Sequence, residues 1–293
     1  MPLYHTKPAR QSIPSRPRGE QRKVWGWRYS RLVLSLLVQP GAHNVEALLP
    51  IAAPVLELIT PDGCASPPSS SDTSALIQNI KSAIEGGVSL VQLRDCTSDA
   101  KSKADLAVRL SAATNGRALL VVNGDPDAAR NTGADGVHLP ERMLDRVLGL
   151  RYDGQWPHVV GCSVHSVGAA VKAAKLGADY VQVGTMFATQ SHPGKEPEGV
   201  EMLSSVRRQL QAEGFGNVLV IGVGGINASN CGEVVAAGGD GVAAIRCLCS
   251  SSDAGAEARR IVQGMRKSLV ILGRAGSVNG GVSSCGAGGL GRG

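Results

Sequence analysis

Aromatic side chains are scarce in this chain: Phe, Trp and Tyr together make up 3% of its 293 residues. Single-stranded nucleic acids are held by stacking on such rings beside a basic stripe, so that class of partner is not expected. No run of about 18 apolar residues exists, which excludes a spanning helix of ordinary length. No Cys-x-x-Cys pair occurs among the seven cysteines, Cys64, Cys96, Cys162, Cys231, Cys247, Cys249 and Cys285. An odd, scattered set argues against a disulfide framework and against structural zinc, and favours a reducing compartment. Acid is nearly missing from the first 40 residues, which hold eight Lys or Arg and only Glu20. The net charge of +6 therefore belongs to this extension, and the rest of the chain is close to neutral.

Residues 1–48 are rich in Arg, Pro and Ser and end in the apolar run Leu32 to Val38. That composition reads as an organelle transit peptide for a plastid or mitochondrion. An ordinary disordered tail is the alternative, and the protein would then be cytoplasmic. Residues 273–293 are Gly- and Ser-rich without periodicity and are expected to be a disordered tail.

Between them the pattern alternates strictly. Short apolar runs at 55–61, 89–95, 118–124, 136–139, 159–164, 180–186, 218–225 and 241–247 read as strands. Helix-like stretches follow at 73–86, 102–115, 126–133, 142–148, 166–177, 199–212, 228–238 and 254–270. Strands apolar throughout are buried on both faces, as in a parallel sheet. Eight β-then-α units over 52–272 give an α/β fold of one closed (β/α)₈ barrel, a TIM barrel. A doubly wound open sheet is the runner-up.

In such a barrel the chemistry sits where strands end. The polar residues there are Gln92, Arg94, Asn123, His138, Ser163, His165 and Thr185 to Ser191, with Gly224-Gly225 and Ile245-Arg246 after the last two strands. Each alone could be a satisfied loop residue; their joint placement on one rim points to a site. Gly224-Gly225 opens a helix after strand seven, where a close backbone and free N–H groups suit a phosphate. No Gly-x-Gly-x-x-Gly stands in this turn, which counts against a dinucleotide fold. His165 just past strand five is either a proton shuttle near neutral pH or a structural capping residue.

At these motifs the chain resembles the thiamin-phosphate synthase superfamily, and within it the TenI-like thiazole tautomerases. The resemblance rests on Val91-Gln92-Leu93-Arg94-Asp95, Ala134-Asp135-Gly136-Val137-His138, Gly161-Cys162-Ser163-Val164-His165-Ser166, Gly177-Ala178-Asp179-Tyr180-Val181-Gln182-Val183-Gly184 and Gly224-Gly225-Ile226, in the family's order over roughly 55–250. It implies a site for a thiazole phosphate. Gln92, Arg94, Asn123, His138, Ser163, Thr185, Thr189 and Ser191 would contact substrate, and Gly224, Gly225, Ile245 and Arg246 its phosphate. Arg246 stands where the family usually has Ser.

The synthase branch joins a pyrimidine diphosphate to a thiazole phosphate, with the diphosphate held by magnesium and lysines. At its two metal-carboxylate positions this chain has Gly124 and Met143, and at its two lysine positions Cys96 and His192. The tautomerase branch needs neither metal nor diphosphate, and the Ser163-Val164-His165-Ser166 motif resembles it better. The resemblance therefore implies an isomerase, with His165 moving a proton on a dihydrothiazole carboxylate phosphate to give the aromatic thiazole phosphate, and with no cofactor. The alternatives are a thiamine-phosphate synthase, which would need magnesium, and a non-catalytic barrel that binds a phosphorylated ligand. A small-molecule ligand is expected, with no nucleic acid or membrane partner; a homo-oligomer is compatible with the fold.

Overall fold

A computed structural model describes residues 53–67, 69–152, 158–189, 194 and 196–273. The basic extension, the Gly/Ser-rich tail from 274 onward, Ser191 and His192 lie outside the described residues.

Eight parallel strands pair in chain order and close into a barrel. They are β1 (Val55–Ile59), β2 (Leu90–Leu93), β3 (Leu119–Asn123), β4 (Gly136–Leu139), β5 (Val159–Val164), β6 (Tyr180–Gly184), β7 (Leu219–Val223) and β8 (Gly241–Ala244). Around them run α1 (Ser70–Glu85), α2 (Ala100–Thr114), α3 (Pro126–Thr132), α4 (Arg146–Tyr152), α5 (Val167–Leu176), α6 (Gly199–Ala212), α7 (Cys231–Ala236), the short α8 (Arg246–Cys249) and α9 (Ala254–Ile271). Among the described residues, no helix is long and apolar enough to cross a membrane.

The strands obey a period of two, since successive side chains face opposite sides. One phase, including Leu56, Leu58, Val91, Leu93, Val137, Val160, Val181 and Val242, packs outward under the helices. The other phase, including Val55, Ile59, Leu90, Val121, Val159, Tyr180, Ile221 and Ala243, fills the interior. The same inward phase carries Glu57, Gln92, Asn123, His138, Ser163 and Gln182.

Helix starts follow from capping: the side chains of Asp99, Asp125, Ser166 and Asp253 accept from the N–H of Ser102, Ala128, Ala169 and Ala256. Helix 142–148 of the sequence reading becomes a 3₁₀ turn at Glu141–Met143 followed by α4. Helix 228–238 shrinks to α7, because Asn227 and Asn230 bind backbone N–H groups locally and compete with the helix ladder. Strand 241–247 ends early, where the backbone turns at Ile245 into α8.

A repeated clamp ties the strands at the bottom of the barrel. Asp135, Asp179 and Asp240 precede β4, β6 and β8. Each gives its own N–H to a carbonyl on the preceding strand and takes that same residue's N–H on its carboxylate. The partners are Leu120, Val160 and Val220, at 2.7–2.9 Å throughout. Arg151 is bonded to Asp179, and the nearly buried Arg207 to Asp240. Ser89, which gives its N–H to Leu56 at 3.0 Å, takes the same place before β2, but its buried hydroxyl has no partner among the described residues.

Candidate functional site

The rim at the strand C-termini collects the residues named from the motifs. After β2, the Arg94 guanidinium donates to Asp62 at 2.9 Å, and Asp62 also accepts the N–H of Cys96 at 2.7 Å. Asp95 is a structural neighbour rather than a ligand contact: it accepts from the backbone of Gly63, Ala65, Thr97 and Ser98. Burial opposes its charge, but those donors hold the carboxyl well below the usual range.

Inside the mouth lie two polar chains. In the first, the Gln182 amide nitrogen donates to both Glu57 and Gln92 at 2.7 Å, and Gln92 donates to Asn123 at 3.2 Å. In the second, His138 meets Tyr180 Oη at 3.0 Å through Nδ1 and Ser163 Oγ at 2.8 Å through Nε2. Burial pushes His138 down to about 3, so this imidazole is neutral at physiological pH. Burial likewise raises the Tyr180 hydroxyl, with the Glu57 carboxyl adding to the shift. Gly161 makes room for that phenol, since a Cβ there would lie 2.0 Å from Tyr180 Cζ. Burial pushes Glu57 up to about 8, against the hydrogen bond from Gln182, and its second oxygen has no partner among the described residues.

His165 is half-exposed. Its backbone N–H donates to Glu141 Oε2 at 2.7 Å, and its Nδ1 lies 2.6 Å from the Gly184 carbonyl. That carbonyl can only accept, so Nδ1 carries a proton and donates to it. Glu198 stands 3.7 Å from the same ring and accepts the Thr185 N–H with its other oxygen. Thr189 is half-buried in the loop after β6.

The loops after β6 and β7 run side by side: Met186 and Phe187 donate to the carbonyls of Val223 and Gly224 at 2.9 and 3.0 Å. Gly225, at φ +67°, has no room for a side chain, because a Cβ would lie 2.6 Å from the Ala188 carbonyl. The Cys247 thiol donates to the Ile226 carbonyl at 3.4 Å and brings Ile245-Arg246 beside that loop. The motif residues thus fall into three neighbouring groups: the Gln92–Asn123 and His138–Ser163 floor, His165 with the start of the β6 loop, and the β7/β8 loop pair.

Magnesium needs hard oxygen ligands. Gly124 and Met143 supply none. Asp125 caps α3 through Ala128, and Glu141 is engaged by His165. Among the described residues, no three metal-binding side chains converge. The residues present do not fit the magnesium of the synthase branch.

Glu57, Gln182, Tyr180 and Glu198 are not among the residues selected from the motifs. For the first three a signal existed: each is a polar side chain on the inward phase of an otherwise apolar strand. Glu198 has no local signal, since it reaches His165 from 33 positions along the chain.

The family described as thiamine monophosphate synthase (TMP-TENI) matches residues 64–248. A thiamine-phosphate synthase of Gloeobacter violaceus is 32% identical over 231 residues, 78% of this chain, and the chain spans 61% of that relative's length. One of a Roseiflexus species is 31% identical over 254 residues, 84% of this chain and 100% of that protein. Among solved structures, thiamine phosphate pyrophosphorylase from Pyrococcus furiosus is 26% identical with a TM-score of 0.60, covering 73% of this chain and 96% of that one. A 3-hexulose-6-phosphate synthase from Salmonella typhimurium, at 14% identity and a TM-score of 0.54, shares the fold alone.

These likenesses overturn the expected thiazole tautomerase and its isomerase class. The relatives matched over most of this chain are synthases, which makes the transferase alternative the supported one. The tautomerase reading leaned on the four residues Ser163 to Ser166 and on four altered positions. The contact of His165 Nδ1 with the Gly184 carbonyl says nothing about which reaction uses the ring.

Proposed function

The chain belongs to the thiamine monophosphate synthase family, and from that premise we propose that it is a thiamine-phosphate synthase, a transferase of vitamin B1 biosynthesis. It joins a pyrimidine diphosphate to a thiazole phosphate and releases diphosphate. The observation that carries this reading is the match to the Roseiflexus synthase over that protein's whole length.

The geometry supplies parts for both substrates. Gly224 and Gly225, packed so closely that only glycine fits, and Ile245 and Arg246 beside them would cradle the thiazole phosphate on backbone N–H groups. Thr189, in the loop after β6, would complete that end. Gln92, Asn123, His138 and Ser163 form an uncharged hydrogen-bonding floor for the pyrimidine ring. Thr185 fixes the loop that separates the two. Arg94 and the His165 imidazole are the groups at the mouth that can meet the charge of the departing diphosphate. Because the chain's carboxylates do not fit a magnesium ion, we propose that no resident metal is needed.

The test is to incubate the full chain with the pyrimidine diphosphate and the thiazole phosphate and to quantify thiamine phosphate by chromatography, with and without chelator. Product in both arms is expected. No product in either arm, with thiazole phosphate still bound in calorimetry, would leave a binding barrel in place of a synthase.

A further inference from the structure

The wholly buried Glu57 sits on the inward phase of β1, below the rim and out of contact with solvent. Its register neighbours are Leu90 on β2 and Ala243 on β8. Gln182 and Tyr180 on β6 also face it, and Tyr180 is the titratable group whose charge interacts with it. A carboxylic acid is a costly choice inside a barrel unless its oxygen does something an apolar side chain cannot.

What it does follows from donor and acceptor bookkeeping. Glu57 Oε1 accepts, so the Gln182 amide must turn its nitrogen inward. That nitrogen has a second hydrogen, which goes to Gln92 Oε1 at 2.7 Å. With its oxygen so engaged, Gln92 presents its own nitrogen to Asn123 Oδ1 at 3.2 Å. Asn123 is then left with its Nδ2 donors free of any partner among the described residues. Each link is directional, and one acceptor at the inner end sets all three amides.

We propose that Glu57 is a positioning residue: from inside the barrel it fixes the amide orientations of Gln182, Gln92 and Asn123, so that the rim meets a ligand with Asn123 donors and selects a ring bearing an acceptor at that point. The ring nitrogens of the pyrimidine substrate are acceptors of that kind; this identification of the ligand rests on the synthase reading. An amide turned the wrong way leaves two donors or two acceptors face to face, at a cost comparable to a lost buried hydrogen bond.

The test compares Glu57→Met, which removes the acceptor, with Glu57→Gln, whose side-chain oxygen can accept from Gln182 in the same place. In Glu57→Met the KM for the pyrimidine diphosphate should rise roughly tenfold or more. The kcat and the KM for thiazole phosphate should hardly move, and Glu57→Gln should restore the wild-type value. Gln182→Met, which cuts the chain one link further out, should give the same KM signature and serves if Glu57→Met does not fold. An unchanged pyrimidine KM in both Met variants, or no rescue by Gln, overturns the proposal. If the wild-type chain makes no thiamine phosphate, the synthase reading fails, and the orientation claim is then read from ¹⁵N spectra of the side-chain amides. Glu57→Met should shift or double the Gln92 and Asn123 amide signals. Unshifted Asn123 signals would refute the relay whatever the reaction is.

Discussion

Replacing Glu57 by Gln should stabilise the folded chain by an amount that grows with pH. In the fold the carboxyl is wholly buried and its pKa is pushed up to about 8, from an ordinary 4.5 that the unfolded chain recovers. Below pH 4.5 both states hold the proton, and the carboxyl costs nothing through ionisation. Between 4.5 and about 8 the unfolded chain gives its proton up while the folded chain keeps it. The unfolded state then binds fewer protons, so stability falls as pH rises through this window. At about 1.36 kcal/mol per unit, the loss is about 3 kcal/mol at pH 7 and levels off at about 5 kcal/mol above the folded-state pKa. Glutamine does not titrate, so the variant escapes the loss while keeping an acceptor for Gln182. Urea midpoints of the two proteins at pH 5, 7 and 8.5 measure the difference. The gap should widen steadily across that series. A gap independent of pH would refute the reasoning, because it would mean that the carboxyl is ionised in the fold or is reached by water.

Removing one half of the clamp below β8 should be severe: Asp240→Ala strands the nearly buried Arg207 and the Val220 N–H, and should cost about 3–5 kcal/mol in urea unfolding. Gly161→Ala should lose at least about 1–3 kcal/mol by overpacking against Tyr180, and Gly161→Ala with Tyr180→Phe should recover little of it, since the clash is with the ring rather than only its hydroxyl. Gly225→Glu should abolish calorimetric binding of thiazole phosphate while leaving the pyrimidine floor intact, because the side chain collides with the Ala188 carbonyl and brings a carboxylate to the phosphate loop. Strong chelation should change the coupling rate by less than about tenfold, equivalent to about 1.4 kcal/mol; a steeper loss would show that Asp125 or Glu141 leaves its backbone partner to hold magnesium.

The barrel was legible because short, mostly apolar strands alternate with helices, four of which begin at a capping Asp or Ser. What blurred were the ends. Apolar residues recur past the last paired residue, at Met186 and at Ile245 and Cys247, so 180–186 and 241–247 read as longer strands than β6 and β8. The rim residues Gln92, Asn123, His138 and Ser163 were visible because polar side chains close apolar strands. Glu57 was masked by its position in the middle of a run that reads as wholly buried, and its partner Gln182 by the same averaging. The Gly-Ala-Asp repeat before β4 and β6, with Gly-Gly-Asp before β8, stands in the sequence, but its meaning appears only once each Asp is seen to grip the preceding strand. The choice between synthase and tautomerase was not legible from one short motif, since a His on the β5 rim serves either chemistry.

The most direct test of the central claim follows both products of a single turnover. The full chain, in excess over a pyrimidine diphosphate carrying a labelled diphosphate, is mixed with thiazole phosphate in magnesium-containing buffer, and free diphosphate and thiamine phosphate are quantified at each time. The synthase reading predicts that the two appear together, at the same rate and in equal amounts. Diphosphate released without thiamine phosphate, or neither product formed, would contradict it.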